Sequence, residues 1–164
     1  MNIVLLEPEI PHNTGAIGRT CAATNAVLHL IRPLGFSTDE KAVRRSGLDY
    51  WHELDVRYYD NFEEFIVKIG SEAQIFLSTT KAPRDYTEVS YPIGSYIIFG
   101  KESAGIPMEI LTRYRERCVR VPMLDQSRSL NLSVAAGIVL YEALRQQGFP
   151  GLCTQRESVI PLGN

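Results

Sequence analysis

The chain has 164 residues, of which 45% are hydrophobic, and carries a formal net charge of -2 at pH 7. That length is normal for one domain, and the hydrophobic content is sufficient for a single core. The sequence pI of about 5.9 excludes a generally basic nucleic-acid-binding domain, so any contact with a nucleic acid must come from local basic patches.

The cysteines and histidines give no sign of a disulfide framework or a metal site. Cys21, Cys118 and Cys153 are odd in number and far apart, and the three histidines show no ligand spacing. The first apolar run is too short for a signal peptide or a membrane span. We therefore expect a cytoplasmic protein with reduced thiols, no metal and no membrane partner.

Short apolar runs rich in β-branched residues alternate with helical patterns along the chain. The predicted strands cover residues 2–7, 27–31, 55–59, 73–78, 95–100 and 117–122. The predicted helices cover residues 13–24, 37–46, 61–69, 107–115 and 131–147. This alternation predicts an α/β fold with a mostly parallel sheet flanked by helices.

Three helix starts carry capping signals. Ser37 with Glu40, and Asn61 with Glu64, have the spacing of a capping box. Pro107 suits the first turn of the fourth predicted helix.

Four loops follow the carboxyl ends of predicted strands, which is where open α/β sheets bind their ligands. Their sequences are EPEIPHNTGAIGR, STTKAPRDY, FGKESAGIP and PMLDQSRSLNLS. We expect the functional site at these loops.

The first loop leads into the segment NTGAIGR, residues 13–19. Gly15 and Gly18 could place backbone N–H groups around a phosphate at a helix start, although the GxGxxG spacing of dinucleotide-binding folds is missing. In the alternative interpretation, Asn13 or Thr14 caps the helix and Arg19 is a solvated charge.

The third loop has glycines at both ends and a carboxylate, Glu102, between them. Gly100 and Gly105 allow the backbone to approach a ligand closely or to make a turn that other residues resist. An ordinary glycine-rich turn is the alternative.

The fourth loop opens the longest predicted helix. Ser129 or Asn131 could simply cap that helix, or the helix start with Arg128 beside it could bind an electron-rich group. The helix has two apolar faces, formed by Val134, Ile138 and Tyr141 and by Ala135, Val139 and Leu140. Two such faces predict two partners, the sheet on one side and a second subunit on the other.

A basic helix face is predicted at Lys41, Arg44 and Arg45, which are spaced i, i+3 and i+4. Such a face is usually solvated. Together with Arg32, Lys81 and Arg84 it could instead bind phosphates.

Six segments together resemble the SPOUT superfamily of RNA methyltransferases, in its one-domain SpoU branch. They are EPEIPHNTGAIGRTCA, RPLGF, RRSGLDY, TTK, FGKESAGIP and VPMLDQSRSLNLS. The chain is most similar to the TrmL-type (YibK-like) tRNA 2'-O-methyltransferases. The resemblance runs from residue 1 to about residue 151, so we expect a methyltransferase domain over residues 1–151 and a C-terminal tail over residues 152–164.

The resemblance implies a single-domain SPOUT fold with a C-terminal deep trefoil knot, although general topology rules favour an unknotted chain. It also implies a homodimer that uses S-adenosylmethionine as methyl donor. The acceptor would be the ribose 2'-OH of the tRNA wobble nucleotide at position 34, a cytidine or a modified uridine.

The resemblance also implies roles for single residues. The catalytic set would be Arg19, Asn13, Glu102, Ser129 and Asn131. The donor-binding set would be Ser78, Thr79, Gly100, Glu102, Val121, Met123, Ser129 and Leu130, and the RNA-binding set would be Lys41, Arg44, Arg45, Lys81 and Tyr141. Because an arginine stays protonated, Arg19 is expected to orient the hydroxyl and stabilise its developing charge rather than act as a simple base.

Two positions depart from the pattern of close relatives, which often carry arginine where this chain has Ala104 and asparagine where it has Val134. These departures leave the RNA contacts and the target nucleotide open. Other functions also remain open: an RNA-binding or assembly factor without methyl transfer, or a methyltransferase for another tRNA or rRNA position. A nicotinamide-dependent oxidoreductase is disfavoured by the missing GxGxxG.

Overall fold

The computed structural model describes residues 1–37, residue 51 and residues 54–155. The strands are β1 (Asn2–Leu6), β2 (Val27–Ile31), β3 (Val56–Tyr59), β4 (Ile75–Ser78), β5 (Tyr96–Phe99) and β6 (Cys118–Val119). The helices are α1 (Pro11–Thr24), α2 (Phe62–Ile69), α3 (Met108–Arg113) and α4 (Leu132–Gln146), and a 3-10 turn, Arg115–Arg117, precedes β6. The predicted helix at 37–46 lies almost wholly outside the described residues. In the described part of the chain, no helix is long and apolar enough to cross a bilayer.

The six strands form one sheet in the order β3-β2-β1-β5-β4-β6, and all of their pairings are parallel. This confirms the predicted α/β fold. Beside β1 the order of strands reverses, because β1 pairs with β2 on one side and with β5 on the other. A crevice at the carboxyl ends of the strands is expected at such a reversal. The C-terminal knot stays a prediction.

The core has two layers, one on each face of the sheet. Ile3 and Leu5 of β1 pack on one face with Val139 of α4, whereas Val4 packs on the other face with Phe65 of α2. Successive strand residues point to opposite faces. Because both faces are buried, the strands are almost continuously apolar rather than alternating.

Helix α1 begins at Pro11, two residues before the predicted start, since a proline at the first position needs no backbone donor. The residue before the helix is Ile10, and it makes no side-chain capping bond. Gly15 and Gly18 therefore lie inside the helix, where their N–H groups are not available to a phosphate, and the cradle interpretation is wrong. A Cβ at Gly18 would lie 3.2 Å from Leu54 and 3.4 Å from Trp51, so this glycine permits close packing.

The other boundaries follow the prediction with shorter elements. The Asn61 side chain accepts a hydrogen bond of 2.9 Å from the Glu64 backbone, as the capping box predicts. The Ser37–Glu40 box stays a prediction, because Glu40 lies outside the described residues. Strand β6 covers two of the six predicted residues, and Arg120 continues it only as an isolated bridge to Asp85. The assignment of residues 152–164 as a C-terminal tail stays a prediction. Leu152, the first of these residues, packs against the core.

Candidate active site

A cavity of about 620 Å³ lies at the carboxyl ends of β4 and β5. All four loops that the sequence places at a ligand site contribute to its wall. They supply Ile10 and Asn13, the segment 78–81, the segment 99–106, and Val121, Met123, residues 128–132 and Ala135 of α4. Segments from both halves of the chain therefore meet in one hollow.

The eight residues of the predicted donor-binding set all line this cavity: Ser78, Thr79, Gly100, Glu102, Val121, Met123, Ser129 and Leu130. Of the predicted catalytic set, Asn13, Glu102, Ser129 and Asn131 also line it. Arg19 does not. Their chemical roles stay predictions, but the structure brings all of these residues except Arg19 together.

The Glu102 carboxylate ties the third loop to the start of α1. It accepts hydrogen bonds from the backbone N–H groups of Glu9 at 2.9 Å and Ile10 at 3.3 Å, and from the Asn13 side-chain amide at 2.9 Å. Hydrogen bonds to a charged acceptor are stronger than neutral ones. The carboxylate therefore fixes the loop that forms one wall of the cavity.

Asn13 connects this carboxylate to the last helix. Its side-chain oxygen accepts a hydrogen bond of 3.0 Å from the Asn131 amide, and only 4% of Asn13 is exposed. The Asn131 oxygen in turn accepts from the Ser133 and Val134 backbone N–H groups at 2.9 and 3.4 Å, which caps α4. The capping interpretation of Asn131 is thus confirmed, and the same residue closes an unbroken chain of hydrogen bonds from Glu102 to α4.

A second connection, which the sequence did not reveal, joins the first and third loops. The Glu9 carboxylate accepts hydrogen bonds from the Ser103 backbone at 2.9 Å and from the Ser103 hydroxyl at 2.8 Å. These two bonds lower the pKa of Glu9. Lys101 also pairs with Glu7 at 2.8 Å. The only local signal is the placement of charges in EPE and KES, in two loops predicted to meet.

Gly100 is required by the path of its own loop. A Cβ at this position would lie 2.1 Å from the carbonyl carbon of Gly105 and 2.2 Å from the nitrogen of Ile106. Gly105 itself has a φ of +71°, which favours glycine, and its N–H donates to the Lys101 carbonyl at 2.8 Å. Of the two predicted reasons for these glycines, the structure supports the tight turn of the backbone.

Arg19 lies on the exposed surface of α1, whereas Asn13 is buried beside the cavity. The two residues are six positions apart, which rotates their side chains by about 240° around a helix. Within one chain, Arg19 is therefore directed away from the cavity that holds the rest of the predicted catalytic set.

The predicted RNA-binding residues are spread over several places. Lys81 lines the cavity, and its ammonium group lies 3.6 Å from the sulfur of Met108. Tyr141 lies on α4 with 47% of its surface exposed. Lys41, Arg44 and Arg45 lie outside the described residues.

Helix α4 buries only one of its two apolar faces. Val139 and Leu140 are fully covered by the core, but 50% of Val134 and 47% of Tyr141 are exposed. The prediction that one face packs on the sheet is confirmed, and the other face is left open to solvent in the single chain.

Comparison with known proteins agrees with this geometry. The SpoU rRNA Methylase family matches residues 1–141. A tRNA (cytidine(34)-2'-O)-methyltransferase of Yersinia pestis is 46% identical over 92% of this chain and 96% of its own length. The corresponding protein of Saccharophagus degradans is 49% identical over 92% of this chain and 97% of its own length.

Solved structures give the same picture. A structure described as giving insights into the 2-OH methylation of C/U34 on tRNA is 41% identical, with a TM-score of 0.84 over 90% of this chain and 95% of that one. An AdoMet-bound rRNA methyltransferase from Sinorhizobium meliloti is 28% identical, with a TM-score of 0.74 over 88% of this chain and 55% of that one. With its fold, its cavity and a family match over most of its length, the chain belongs to the SpoU methylase family.

Proposed function

We propose that this protein transfers a methyl group from S-adenosylmethionine to the ribose 2'-OH of nucleotide 34 of tRNA, a cytidine or a modified uridine. The observation that carries the proposal is the hydrogen-bond chain from Glu102 through Asn13 to Asn131, which joins the third, first and fourth loops around one cavity. The names of the relatives from Yersinia pestis and Saccharophagus degradans support the choice of substrate and position. The cytoplasm, where tRNA is available, is the proposed location.

The lining of the cavity fits the chemistry of the proposed donor. A volume of about 620 Å³ lies in the range of pockets that hold ligands of this size. Val121, Met123 and Leu130 offer apolar surface for a purine ring, and Ser78 and Thr79 offer hydroxyl groups for ribose. When bound, S-adenosylmethionine supplies a methyl group activated by a positively charged sulfur, and S-adenosylhomocysteine is the product.

The residues of the chain act mainly by positioning. Methyl transfer needs the attacking oxygen within about 3 to 3.5 Å of the methyl carbon, and holding that geometry supplies much of the rate. The loops that would set this distance are held by Asn13, Glu102 and Asn131. Arg19 would orient the 2'-OH and stabilise its developing negative charge, because a guanidinium group does not give up its proton.

A homodimer is part of the proposal. The open apolar face of α4, with Val134 and Tyr141, would pack against a second copy of the chain. Such a partner would also complete the nucleotide site, since Arg19 points away from the cavity of its own chain and would have to act at that of the neighbour.

Labelled S-adenosylmethionine and unmodified tRNA test the proposal directly. We expect methyl incorporation at nucleotide 34, and its absence from tRNA of a strain that lacks the protein. Arg19→Ala should abolish transfer while donor binding persists, whereas the control Arg57→Ala, at an exposed arginine of β3, should transfer normally. Donor binding without turnover on any tRNA would indicate an assembly factor, and methylation of rRNA or of another tRNA position would refute the assignment to nucleotide 34.

A further inference from the structure

Apart from Arg19 on α1, the positively charged side chains of the described residues form two groups. In one group each cation pairs with a carboxylate, as in Arg57–Asp55, Lys68–Glu64 and Arg32–Asp60 near strand β3. In the other group no carboxylate partner is found within the described part of the chain. That group consists of Lys81, Arg84, Arg115, Arg117, Arg120 and Arg128, all of which lie between the end of β4 and the start of α4.

Members of the second group are neighbours in space. The Arg120 backbone N–H donates to the Arg84 carbonyl at 2.9 Å, so the two residues lie side by side. The Arg84 guanidinium reaches the carbonyl oxygen of Glu116, in the 3-10 turn that also carries Arg115 and Arg117. These contacts join the arginines into one surface along β6, the edge strand of the sheet.

This surface is continuous with the cavity. Val121 follows Arg120 directly and lines the cavity, as do Lys81 and Arg128. Arg117 and Val121 are four positions apart, a distance of about 13 Å in an extended chain at roughly 3.3 Å per residue. A surface of that length can contact more than one phosphate of a nucleic-acid strand.

The arginines are held in place but are not neutralised. Arg117 donates to the neutral Gln74 side chain at 2.7 Å, and Arg84 bonds a backbone carbonyl. The charges of Asp85 and Glu116 lie in the same segments but form no ion pair with these arginines. Among the described residues no carboxylate pairs with these guanidinium groups, so an external anion would meet no competing carboxylate.

We propose that these six cations bind the sugar-phosphate backbone of the RNA substrate and guide it from the cavity along the β6 edge. The proposal rests on the proposed function, which makes an RNA the substrate. A protein with a net charge of -2 needs a local patch to bind a polyanion, and the fork of a guanidinium group matches the oxygens of a phosphate. The competing explanation is that arginines on an edge strand prevent sheet-to-sheet aggregation.

The test compares two double variants that change the net charge by the same amount at opposite edges of the sheet. Arg115→Gln with Arg117→Gln neutralises the β6 edge, and Arg57→Gln with Lys68→Gln neutralises the β3 side. Binding of full-length tRNA is measured over a range of salt concentrations. Each lost phosphate contact should reduce the slope of log K against log salt by about 0.7 to 0.9.

We expect the β6-edge variant to lose about 1 to 2 units of this slope and about tenfold in affinity at low salt, equally for all tRNA sequences. The β3-side variant should keep the slope of the unaltered protein. Arg115→Lys with Arg117→Lys should keep it too, because the charge is retained, and this variant separates loss of charge from misfolding. Light scattering of each variant records aggregation.

The proposal is overturned if both neutral variants lose the same affinity, if the β6-edge variant aggregates with an unchanged salt slope, or if the unaltered protein binds no tRNA. Failure of the proposed function looks different. The unaltered protein would then bind tRNA with the expected salt dependence but would transfer no methyl group to it.

Discussion

The side-chain amide of Asn13 donates a hydrogen bond of 2.9 Å to the carboxylate of Glu102, 89 residues further along the chain. Because the Asn13 oxygen also accepts from Asn131, both ends of this buried amide are occupied. A carboxylate that accepts three hydrogen bonds and an amide that both donates and accepts form a connected polar network, in which the loss of one member affects the others. Any substitution at Asn13 should therefore disturb the wall of the cavity.

Asn13→Asp should destabilise the protein and weaken donor binding. The change removes the donor and places a second carboxylate against Glu102, which costs about 2 kcal/mol or more at pH 7. The loss should be smaller at pH 5, where one carboxyl group can take up a proton and donate it to the other. Unfolding in denaturant at both pH values, with calorimetry of donor binding, measures this. Asn25→Asp, at the exposed end of the same helix, is the control, and an equal loss at pH 5 and pH 7 would contradict the explanation.

Gly100→Ala should abolish donor binding, whereas Gly105→Ala should only lower the stability of the fold. The added Cβ at Gly100 would collide with backbone atoms at 2.1 and 2.2 Å, so the loop has to open. At Gly105 nothing lies within 4 Å of the added atom, and the cost is limited to about 1 to 2 kcal/mol for the left-handed backbone. Calorimetry with S-adenosylmethionine and thermal unfolding distinguish the two. Normal donor affinity in Gly100→Ala would refute the role given to this turn.

His29 should make the protein less stable in mild acid. Its Nε2 lies 3.1 Å from the Asn2 side-chain oxygen and its Nδ1 lies 2.8 Å from the Tyr59 hydroxyl. The Asn2 amide nitrogen donates to the Gly94 carbonyl, which turns its oxygen toward Nε2, so Nε2 carries the proton and the Tyr59 hydroxyl donates to Nδ1. The ring is neutral in the folded protein.

Burial, and then the positive charge of Arg57, lower the pKa of His29 to about 4. In the unfolded chain the same group takes up a proton near pH 6.5. The unfolded state thus binds more protons between these values, and stability falls as the pH drops from about 6.5 to about 4, by about 3 kcal/mol at most. In denaturant unfolding, the free energy of unfolding should fall with pH in this range for the unaltered protein and should fall less for His29→Gln. The control His12→Gln, at an exposed position, should show the same pH dependence of stability as the unaltered protein. If His29→Gln also shows that pH dependence, the prediction is contradicted.

Val134→Glu should separate the proposed dimer into monomers. Half of the Val134 surface is exposed on the open face of α4, and a buried, unpaired carboxylate at a subunit contact is strongly unfavourable. The variant should sediment as a monomer. It should keep its helical content and lose tRNA methylation. Val67→Glu, on α2 with 78% of the residue exposed, is the matched control. A monomeric unaltered protein, or a dimer that tolerates both changes, would refute the proposed interface.

The sequence predicts the sheet well because its strands are buried on both faces, and continuous apolar runs such as residues 3–6 are the direct result. The site is predictable to the level of four loops, since a parallel sheet brings their strand ends to one edge. The contact of Glu9 with Ser103 is different. It joins residues 94 positions apart, and no local pattern specifies which polar groups of two adjoining loops will meet.

The position of Arg19 marks another limit of the same kind. The spacing from Asn13 on a predicted helix already places the two side chains on different sides, but the resemblance to a family assigns both to one site. Within a single chain, Arg19 and Asn13 cannot both lie on different sides of the helix and belong to the same site. Strand β6 is also shorter than the sequence predicts, because its partner β4 ends at Ser78, which pairs with Val119.

The hydrogen bond between Asn13 and Asn131 joins groups 118 positions apart. A ribosome releases the chain from its amino end, so Asn13 is made long before Asn131, which completes its hydrogen-bond network. Closing such a distant contact is slow compared with forming a helix. A nascent chain that has not yet exposed residue 131 therefore lacks the hydrogen bond that joins α4 to the first loop, and the wall of its cavity is incomplete.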